Sequence, residues 1–348
     1  AVGGEARILP KTRLYGRYEF INSLNAPFQL NGLQSQNTGL IGLETEYMKD
    51  GKSFNEYRLR DAITGRESEA ATGLRNLWSI AEGVRASTSF ERVTPVAGDL
   101  ETEATAITGG IEYTRNPDWK ATARLELRSS TANDSLLNTF GYARKLSRDW
   151  TFLGRSILYL VDNNGPSGGG LTQARLQAGF AWRETAMDRW NALMKYEFKI
   201  ENNSTPPSVD LDRKVNILLM DVNFQPAPDY YVSGHFASKL AFEESNGLED
   251  FYDAHLFAFR VTYEVNRRWD VGFNTSTLFS GKDGSIHYGV GPEVGITVLK
   301  NIRFGFGYNV FGFSDPDLTA GQYTDPGFYV ALRMKFDEAL LGLGKKKE

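Results

Sequence analysis

The sequence predicts an all-β fold, a transmembrane antiparallel up-and-down β-barrel of about eighteen strands. Runs of alternating apolar and polar residues follow one another along nearly the whole chain and are separated by turn residues, as in neighbouring antiparallel strands. Five of the six tryptophans lie at or beside very short charged turns, and these turns alternate with longer polar connections. Tryptophan repeated at one end of successive hairpins is typical of the lipid–water boundary of a barrel.

The strands can be assigned in order from their period-two patterns. The first is Arg13 to Phe20, where charged and aromatic residues alternate, and the last is Gly327 to Phe336, which alternates apolar with basic residues. The segments are 13–20, 40–47, 55–63, 70–79, 84–93, 104–115, 119–129, 136–146, 150–161, a strand that ends at Arg183, 190–200, 213–224, 230–241, 252–265, 269–280, 286–298, 302–313 and 327–336.

The connections show a parity that orients these strands. Odd-numbered strands precede polar loops that tend to be longer, such as Asn202 to Asp212, whereas even-numbered strands precede short turns, such as Asn116-Pro117-Asp118. Outer-membrane barrels have an even strand number, short periplasmic turns and longer outer loops, so both termini are expected in the periplasm. We therefore divide the chain into a periplasmic leader segment (1–10), the barrel (11–336) and a periplasmic tail (337–348).

The two faces of each predicted strand differ in polarity. In the strand that begins at Trp119, apolar residues up to Leu127 share one face, whereas Arg124, Glu126 and Arg128 share the other. A soluble sandwich also alternates, but it gives no reason for tryptophan to collect at one end. The predicted interface girdle is Trp78, Trp119, Trp150, Trp182, Trp190, Tyr230 and Trp269. The predicted lumen-lining residues are Arg17, Arg58, Arg60, Arg124, Glu126, Arg128, Arg175, Lys195, Glu197, Lys199, Arg260, Arg303 and Arg333.

Composition and motifs exclude several classes of function. Cysteine is absent, which excludes disulfides, thiolate metal sites and covalent haem attachment through Cys-x-x-Cys-His. A net charge of −4 argues against nucleic-acid binding. The histidines His235, His255 and His287 have no metal-ligand spacing, and no nucleophile-elbow or P-loop motif is present, so we predict no cofactor, no metal site and no enzymatic activity.

One acidic pattern leaves an alternative open. Glu243-Glu244 with Glu249-Asp250, and Asp315 with Asp317, have carboxylates at spacings that can bind Ca²⁺ in loops. Solvated loop charge is the interpretation that we favour for both clusters.

Several strand and turn motifs carry a resemblance to a known family. They are Tyr57-Arg58-Leu59-Arg60-Asp61-Ala62, Gly73-Leu74-Arg75-Asn76, Thr88-Ser89-Phe90-Glu91-Arg92-Val93, Ala123-Arg124-Leu125-Glu126-Leu127-Arg128, Lys145-Leu146-Ser147-Arg148-Asp149-Trp150 and 328–338. Over about residues 11–338 the chain resembles the porin-like outer-membrane β-barrel domain found at the C-terminus of large Gram-negative surface or envelope proteins. The resemblance implies fold and location, and its motifs contain no catalytic residues.

The last predicted strand also looks like the signal that the outer-membrane assembly machinery reads. Phe328, Met334 and Phe336 give it the alternating, aromatic-ended form of that signal, although twelve residues follow Phe336. The resemblance implies two kinds of partner, the lipid and lipopolysaccharide of the outer membrane and this assembly machinery. A periplasmic or lumenal protein partner stays possible.

The sequence thus predicts an outer-membrane barrel that acts as a passive pore or conduit for small solutes or ions. Arginine-rich lumenal positions favour anions if the lumen is open, whereas cross-strand ion pairing would only keep the interior hydrated. The alternatives are a membrane anchor whose lumen is filled by a plug or partner protein, for surface display or secretion, and a sheath around an electron-carrying partner.

Overall fold

The computed structural model describes residues 2–21, 36–62, 65–97, 103–165, 168–204, 210–299, 302–310 and 326–334. These residues form nineteen strands of one sheet, and each strand pairs antiparallel with the next strand in the chain. Their bounds are β1 Val2–Leu9, β2 Thr12–Ile21, β3 Gln36–Met48, β4 Gly51–Ala62, β5 Gly65–Ala81, β6 Val84–Ala97, β7 Ala104–Tyr113, β8 Trp119–Ser130, β9 Asn133–Lys145, β10 Trp150–Asn163, β11 Gly170–Arg183, β12 Trp190–Asn203, β13 Leu211–Ala227, β14 Tyr230–Ser245, β15 Leu248–Glu264, β16 Trp269–Phe279, β17 Ile286–Leu299, β18 Ile302–Asn309 and β19 Gly327–Met334.

The predicted fold class, an all-β antiparallel up-and-down barrel architecture, is confirmed at the level of this sheet. The eighteen predicted strands correspond to β2 through β19. The additional strand is β1, which lies within the segment 1–10 that the sequence assigned to a leader, and it pairs with β2 from Val2–Tyr18 to Leu9–Thr12. No helix among the described residues has the length and apolarity needed to cross a membrane.

The pairing of β1 with β2 determines at which end of the sheet the first described residue lies. Val2 pairs with Tyr18, near the end of β2, whereas Met334 pairs with Ile302, at the start of β18. The first and last described residues therefore lie at opposite ends of the sheet, and the periplasmic position of both termini stays a prediction. The opposite ends follow from the odd strand number, since β1 adds one further crossing.

The two edge strands bear directly on closure. Strand β1 occupies the edge of β2 that β19 would occupy if the eighteen strands β2 to β19 closed in antiparallel fashion. Strands β1 and β19 run in the same direction, because they are separated by an even number of antiparallel steps. In the register of the described strands, β2 pairs with β1 and β3, and β19 pairs with β18.

Strands β13, β14 and β15 are 17, 16 and 17 residues long and extend well beyond the predicted segments. The predicted acidic loop from Glu243 to Asp250 is mostly strand, and only Asn246 and Gly247 form the turn. Both turn residues have positive φ, 52° and 75°, as a two-residue type I′ hairpin turn requires. The connection between the predicted strands 119–129 and 136–146 is likewise reduced to Thr131-Ala132.

A short turn at the other end of the sheet, between β11 and β12, combines a positive backbone φ angle with an ion pair. In the turn between β11 and β12, Asp188 has a positive φ of 57°, a conformation that Asp tolerates better than most residues. Arg183 donates two hydrogen bonds to the Asp188 carboxylate, at 2.6 and 2.7 Å, and these hydrogen bonds lower the pKa of Asp188.

The register divides the sheet into two faces that are continuous across the paired strands. Directly opposed residues share a face, so the rows can be followed from Leu14 on β2 to Leu332 on β19. The face that contains these residues is called the apolar face below. It carries many exposed large side chains, among them Ile41, Tyr57, Leu74, Phe90, Ile107, Leu125, Leu127, Phe140, Leu176, Phe180, Tyr196, Leu218, Met220, Phe257, Phe259, Phe273, Val294, Phe306, Val330 and Leu332.

The opposite face, called the charged face below, holds most of the buried residues of the sheet. Glu44, Glu56, Glu197 and Glu293 lie on it with exposures of 6% or less. The same face also carries an apolar patch on β13–β16, which the sequence reasoning did not identify. Its buried members are Val215, Ile217, Ala237, Ala241 and Leu256, and they are flanked by Leu219, Tyr252, Ala254 and Leu278.

Candidate functional site on the charged face

The thirteen predicted lumen-lining residues occupy register positions of the same, charged face. This follows from the pairing because none of them is opposite a residue of the apolar face. Arg60 and Arg333 are placed by backbone pairing with Thr38 and Arg303, and their side chains are outside the description. Ion pairs on the charged face involve Arg58, Arg124, Glu126, Arg128, Arg175, Lys195, Glu197, Lys199, Arg260 and Arg303.

Glu197 is the centre of the first group of charges. Its side chain is 1% exposed and lies 2.6 Å from Arg175 Nε, 3.1 Å from Lys195 Nζ and 3.7 Å from Lys199 Nζ. Gln177 donates a further hydrogen bond to its second oxygen at 2.9 Å. Glu197 thus contacts three cations. With Glu201 on the same face of β12, three cations stand against two carboxylates, so this part of the charged face on β11 and β12 keeps a net positive charge of one.

A second group joins β4, β5 and β6 around Arg58. Arg58 donates to Glu56 at 2.6 Å and to Glu91 at 2.7 Å, so its guanidinium bridges carboxylates on two strands that are not hydrogen-bonded neighbours. Arg75 donates to Glu56 at 2.9 Å, and its guanidinium carbon stands 3.8 Å above the ring of Phe54, which is 1% exposed. Glu56 also accepts a hydrogen bond from Tyr15. These contacts connect the wall across four strands.

The third group lies on β15–β19. Arg303 contacts Asp270 at 2.5 Å and Glu293 at 2.7 Å, and Arg260 donates to the same Glu293 oxygen at 2.7 Å. The Tyr329 hydroxyl donates to the second Glu293 oxygen at 3.0 Å. Two cations and two carboxylates balance here, so this group stabilises the wall without an excess of charge.

The sequence analysis did not predict all of the acidic residues in these three groups. Glu56, Asp270 and Glu293 were not predicted, although Glu56 shares the parity of Arg58 and follows the same period of two. The parity of β16 and β17 is harder to read, because glycine and small polar residues interrupt the apolar pattern there. In the described part of the chain, Arg155 is an exposed cation of this face for which no ion pair is formed, and its register partner on β11 is Gln177.

The six tryptophans and Tyr230 lie on the other, apolar face, all at the end of the short turns. Trp150 opposes Trp182 with ring centroids 6.3 Å apart, and Trp190 stacks on Phe224 at 4.0 Å. Four of the six indoles are at least 38% exposed. Of the predicted assembly residues, Phe328 is 91% exposed on the apolar face, Met334 pairs with Ile302, and Phe336 lies outside the described residues.

The predicted acidic clusters do not assemble a metal site within the described residues. Register places Glu243 and Asp250 on the charged face but Glu244 and Glu249 on the apolar face. Glu243 pairs with Arg213 at 2.7 Å, and Asp250 pairs with Lys282. No group of three or more metal-ligating side chains occurs in the described ranges, and Asp315 and Asp317 lie outside them.

Comparison with known proteins gives weak similarities of fold only. No family model matches the chain, and no curated protein matches it. Among solved structures, a bacterial polysaccharide outer membrane secretin shares 10% identity and a TM-score of 0.39, covering 82% of this chain and 96% of that one. The copper transporter OprC shares 9% identity and a TM-score of 0.42, covering 93% and 76%. OmpT, an outer membrane protein of Vibrio cholerae, shares 7% identity and a TM-score of 0.37, covering 93% and 95%. Similarities at this level transfer no function to the chain.

Proposed function

We propose that the protein is an outer-membrane β-barrel that acts as a passive pore or conduit for small solutes or ions. One observation carries this proposal. The sheet has an exposed apolar face with its tryptophans at one end, and an opposite face whose charges are paired across strands. In a soluble protein the apolar face would be buried and the charged face would be exposed to water. A barrel wall between lipid and an aqueous lumen instead has its apolar face outward and its charged face toward the lumen.

The height of the apolar face supports this placement. On β12 the apolar row runs from Trp190 to Ile200 and is followed by Asn202. Ten steps of about 3.3 Å give about 33 Å along the strand, or about 25 Å along the membrane normal at a tilt of about 40°. That height equals the apolar band of outer-membrane barrels, which is about 25 Å tall. The tryptophans then lie at one boundary of the hydrocarbon.

The charge arrangement supports a hydrated lumen with a local preference for anions. The groups around Arg58 and Arg303 contain nearly balanced charges, so they hydrate the wall and add little selectivity. The excess of cations around Glu197, together with Arg155 on the adjacent strand, gives β10–β12 a positive potential. Rings or patches of Arg and Lys are the feature that favours anions in pores.

A filled lumen is the second candidate, and the apolar patch on β13–β16 is the observation that favours it. Its five buried members are already covered by side chains of this chain, and partly buried Leu219, Tyr252, Ala254 and Leu278 extend the patch on a face that is otherwise charged. Such a patch suits an anchor or sheath whose lumen holds a plug or a partner protein.

Single-channel recording of the purified chain in a planar bilayer tests both candidates. Steady openings with a reversal potential that favours chloride over potassium support the pore. A chain that inserts, as shown by protease protection in vesicles, yet remains electrically silent supports the filled lumen and contradicts the pore.

A further inference from the structure

A serine, a histidine and an aspartate form a hydrogen-bonded chain on the apolar face of β14 and β15, away from the charged face. Ser238 and His255 oppose each other in the register, and Ser238 Oγ lies 3.0 Å from His255 Nδ1. Nε2 of the same ring lies 3.1 Å from Asp253 Oδ2. In such a chain the imidazole can take the serine proton while the carboxylate holds the ring and stabilises its charged form.

The carboxylate of Asp253 is held in place by the turn that follows β16. It accepts hydrogen bonds from the backbone N–H groups of Gly281 at 2.7 Å and Lys282 at 2.9 Å. The ring of Phe279, the register partner of His255, packs 5.0 Å from the imidazole. The ring of His255 is thus fixed between a carboxylate, a hydroxyl and an aromatic side chain, and all three protein groups stand on strands, where geometry is better defined than on loops.

An apolar groove adjoins the Ser238–His255 pair on the side of the short turns. Its volume is about 420 Å³, and its lining includes Phe236 and Phe257, which are two positions along their strands from Ser238 and His255. Gly234 leaves room in the groove because it carries no side chain, and the hydroxyls of Thr275 and Thr277 supply hydrogen-bond donors along the third strand. The shape and chemistry of this groove suit an acyl chain.

The depth of Ser238 in the proposed membrane fits an ester bond of a lipid. Ser238 follows Tyr230, the girdle residue of β14, by eight positions on the same face. This separation is about 26 Å along the strand and about 20 Å along the membrane normal at a tilt of about 40°. Since the apolar band is about 25 Å tall, Ser238 lies just inside the opposite boundary, where lipid acyl chains join their headgroups.

We propose that Ser238, His255 and Asp253 form a hydrolase site for acyl esters of membrane lipids, which enter from the surrounding bilayer. This proposal rests on the apolar face lying in lipid, but it does not require an open lumen. Ser238 Oγ attacks the ester carbonyl carbon while its proton passes to His255 Nδ1. The carbon–oxygen bond to the alcohol breaks, and the alcohol leaves with that proton. Water, deprotonated by His255, then attacks the acyl carbon. The bond from that carbon to Ser238 Oγ breaks, the proton returns from His255 to Oγ, and a fatty acid is released. Asp253 is the positioning residue.

Covalent labelling of the folded full-length chain in detergent tests the nucleophile without any membrane or pore assay. A long-chain alkyl fluorophosphonate should phosphonylate Ser238, identified by peptide mass spectrometry, and the Ser238→Ala and His255→Asn variants should lose the label at least about 100-fold. The matched control is Ser233→Ala, on the charged face of the same strand, which should label like the parent. Absence of label on Ser238 in a chain with the heat-dependent gel mobility shift of a folded barrel would overturn the proposal.

Ester hydrolysis tests the substrate class. With p-nitrophenyl palmitate in mixed micelles, the parent should turn over at least about 100 times faster than Ser238→Ala. Asp253→Asn should lower kcat while leaving KM unchanged, which a general loss of structure would not do. Equal background rates in the parent and Ser238→Ala would reduce the three residues to a polar cross-strand contact. Neither assay depends on whether the lumen conducts ions. Failure of the hydrolase proposal can therefore be distinguished from failure of the pore proposal.

Discussion

Replacing Glu197 by Gln is the perturbation whose outcome follows most directly from the charged face. The change keeps the shape of the side chain and removes one negative charge that is 1% exposed and shared by Arg175, Lys195 and Lys199. Three cations then remain within a few ångströms of one another with no carboxylate between them. The folded wall should be destabilised, and the local potential should become more positive.

The size of the expected loss of stability follows from how exposed the three cations around Glu197 are. Removing one member of a buried ion pair costs roughly 3–5 kcal/mol, because the remaining charge stays desolvated. Arg175 and Lys199 are 12% exposed, but Lys195 is 34% exposed and can turn toward water, so the lower end of that range applies. We expect a loss of about 3 kcal/mol in the free energy of unfolding.

The assay is urea-dependent folding into phosphatidylcholine vesicles, followed by tryptophan fluorescence under conditions where folding and unfolding curves coincide. Glu201→Gln is the matched control, since Glu201 lies on the same strand and face, is 20% exposed and has Arg213 only at 4.0 Å. It should lose no more than about 1 kcal/mol, as exposed ion pairs do. Equal losses in the two variants would refute the reasoning, because burial would then have no part in the effect.

Three further predictions concern packing, the interface and selectivity. Gly73→Ala should lower the free energy of unfolding by about 1–3 kcal/mol, because a Cβ atom there would stand 2.2 Å from a backbone oxygen, whereas Gly109→Ala, with open space, should be neutral in the same urea titration. Trp190→Ala should cost about 3 kcal/mol through lost contact of the exposed indole with the lipid interface and lost stacking on Phe224, and equal stability of this variant and the parent in vesicles would contradict an interface role. Arg155→Glu should shift the reversal potential toward cations without loss of stability, since no ion pair is broken, and an unchanged potential would place Arg155 outside the conduction path.

Most strands were predictable from sequence because each alternates apolar and polar residues against one continuous apolar face. The exceptions have identifiable causes. Strand β1 contains Gly3-Gly4 followed by Glu5-Ala6-Arg7, which gives too few apolar positions for a period of two to stand out, yet its backbone pairs with β2. The acidic run from Glu243 to Asp250 indicates a loop by composition, although long antiparallel pairing extends it as strand around a two-residue turn.

The residues of the candidate sites also fall into those that the sequence predicts and those that it does not. The basic residues of the charged face were predictable by parity, but their partners depend on register between strands far apart in sequence, as for Arg303 and Asp270. The apolar patch on β13–β16 escaped prediction because Val215, Ile217 and Leu256 are apolar residues on a face that most other strands line with charge, so polarity alone does not place them there. The Ser238–His255–Asp253 chain has no sequence motif, since it arises from the pairing of β14 with β15.

The most direct test of the central claim, that this sheet separates lipid from an aqueous lumen, is a cysteine scan along β12. The chain contains no native cysteine, so single nitroxide labels can be placed at each position from Ala192 to Ile200 of the vesicle-inserted protein. Collision with oxygen, which partitions into lipid, and with a polar nickel complex reports the environment of each label. The account predicts strict alternation, with lipid contact at Ala192, Met194, Tyr196, Phe198 and Ile200 and water contact at the positions between them. Labels that respond alike on both faces would contradict it.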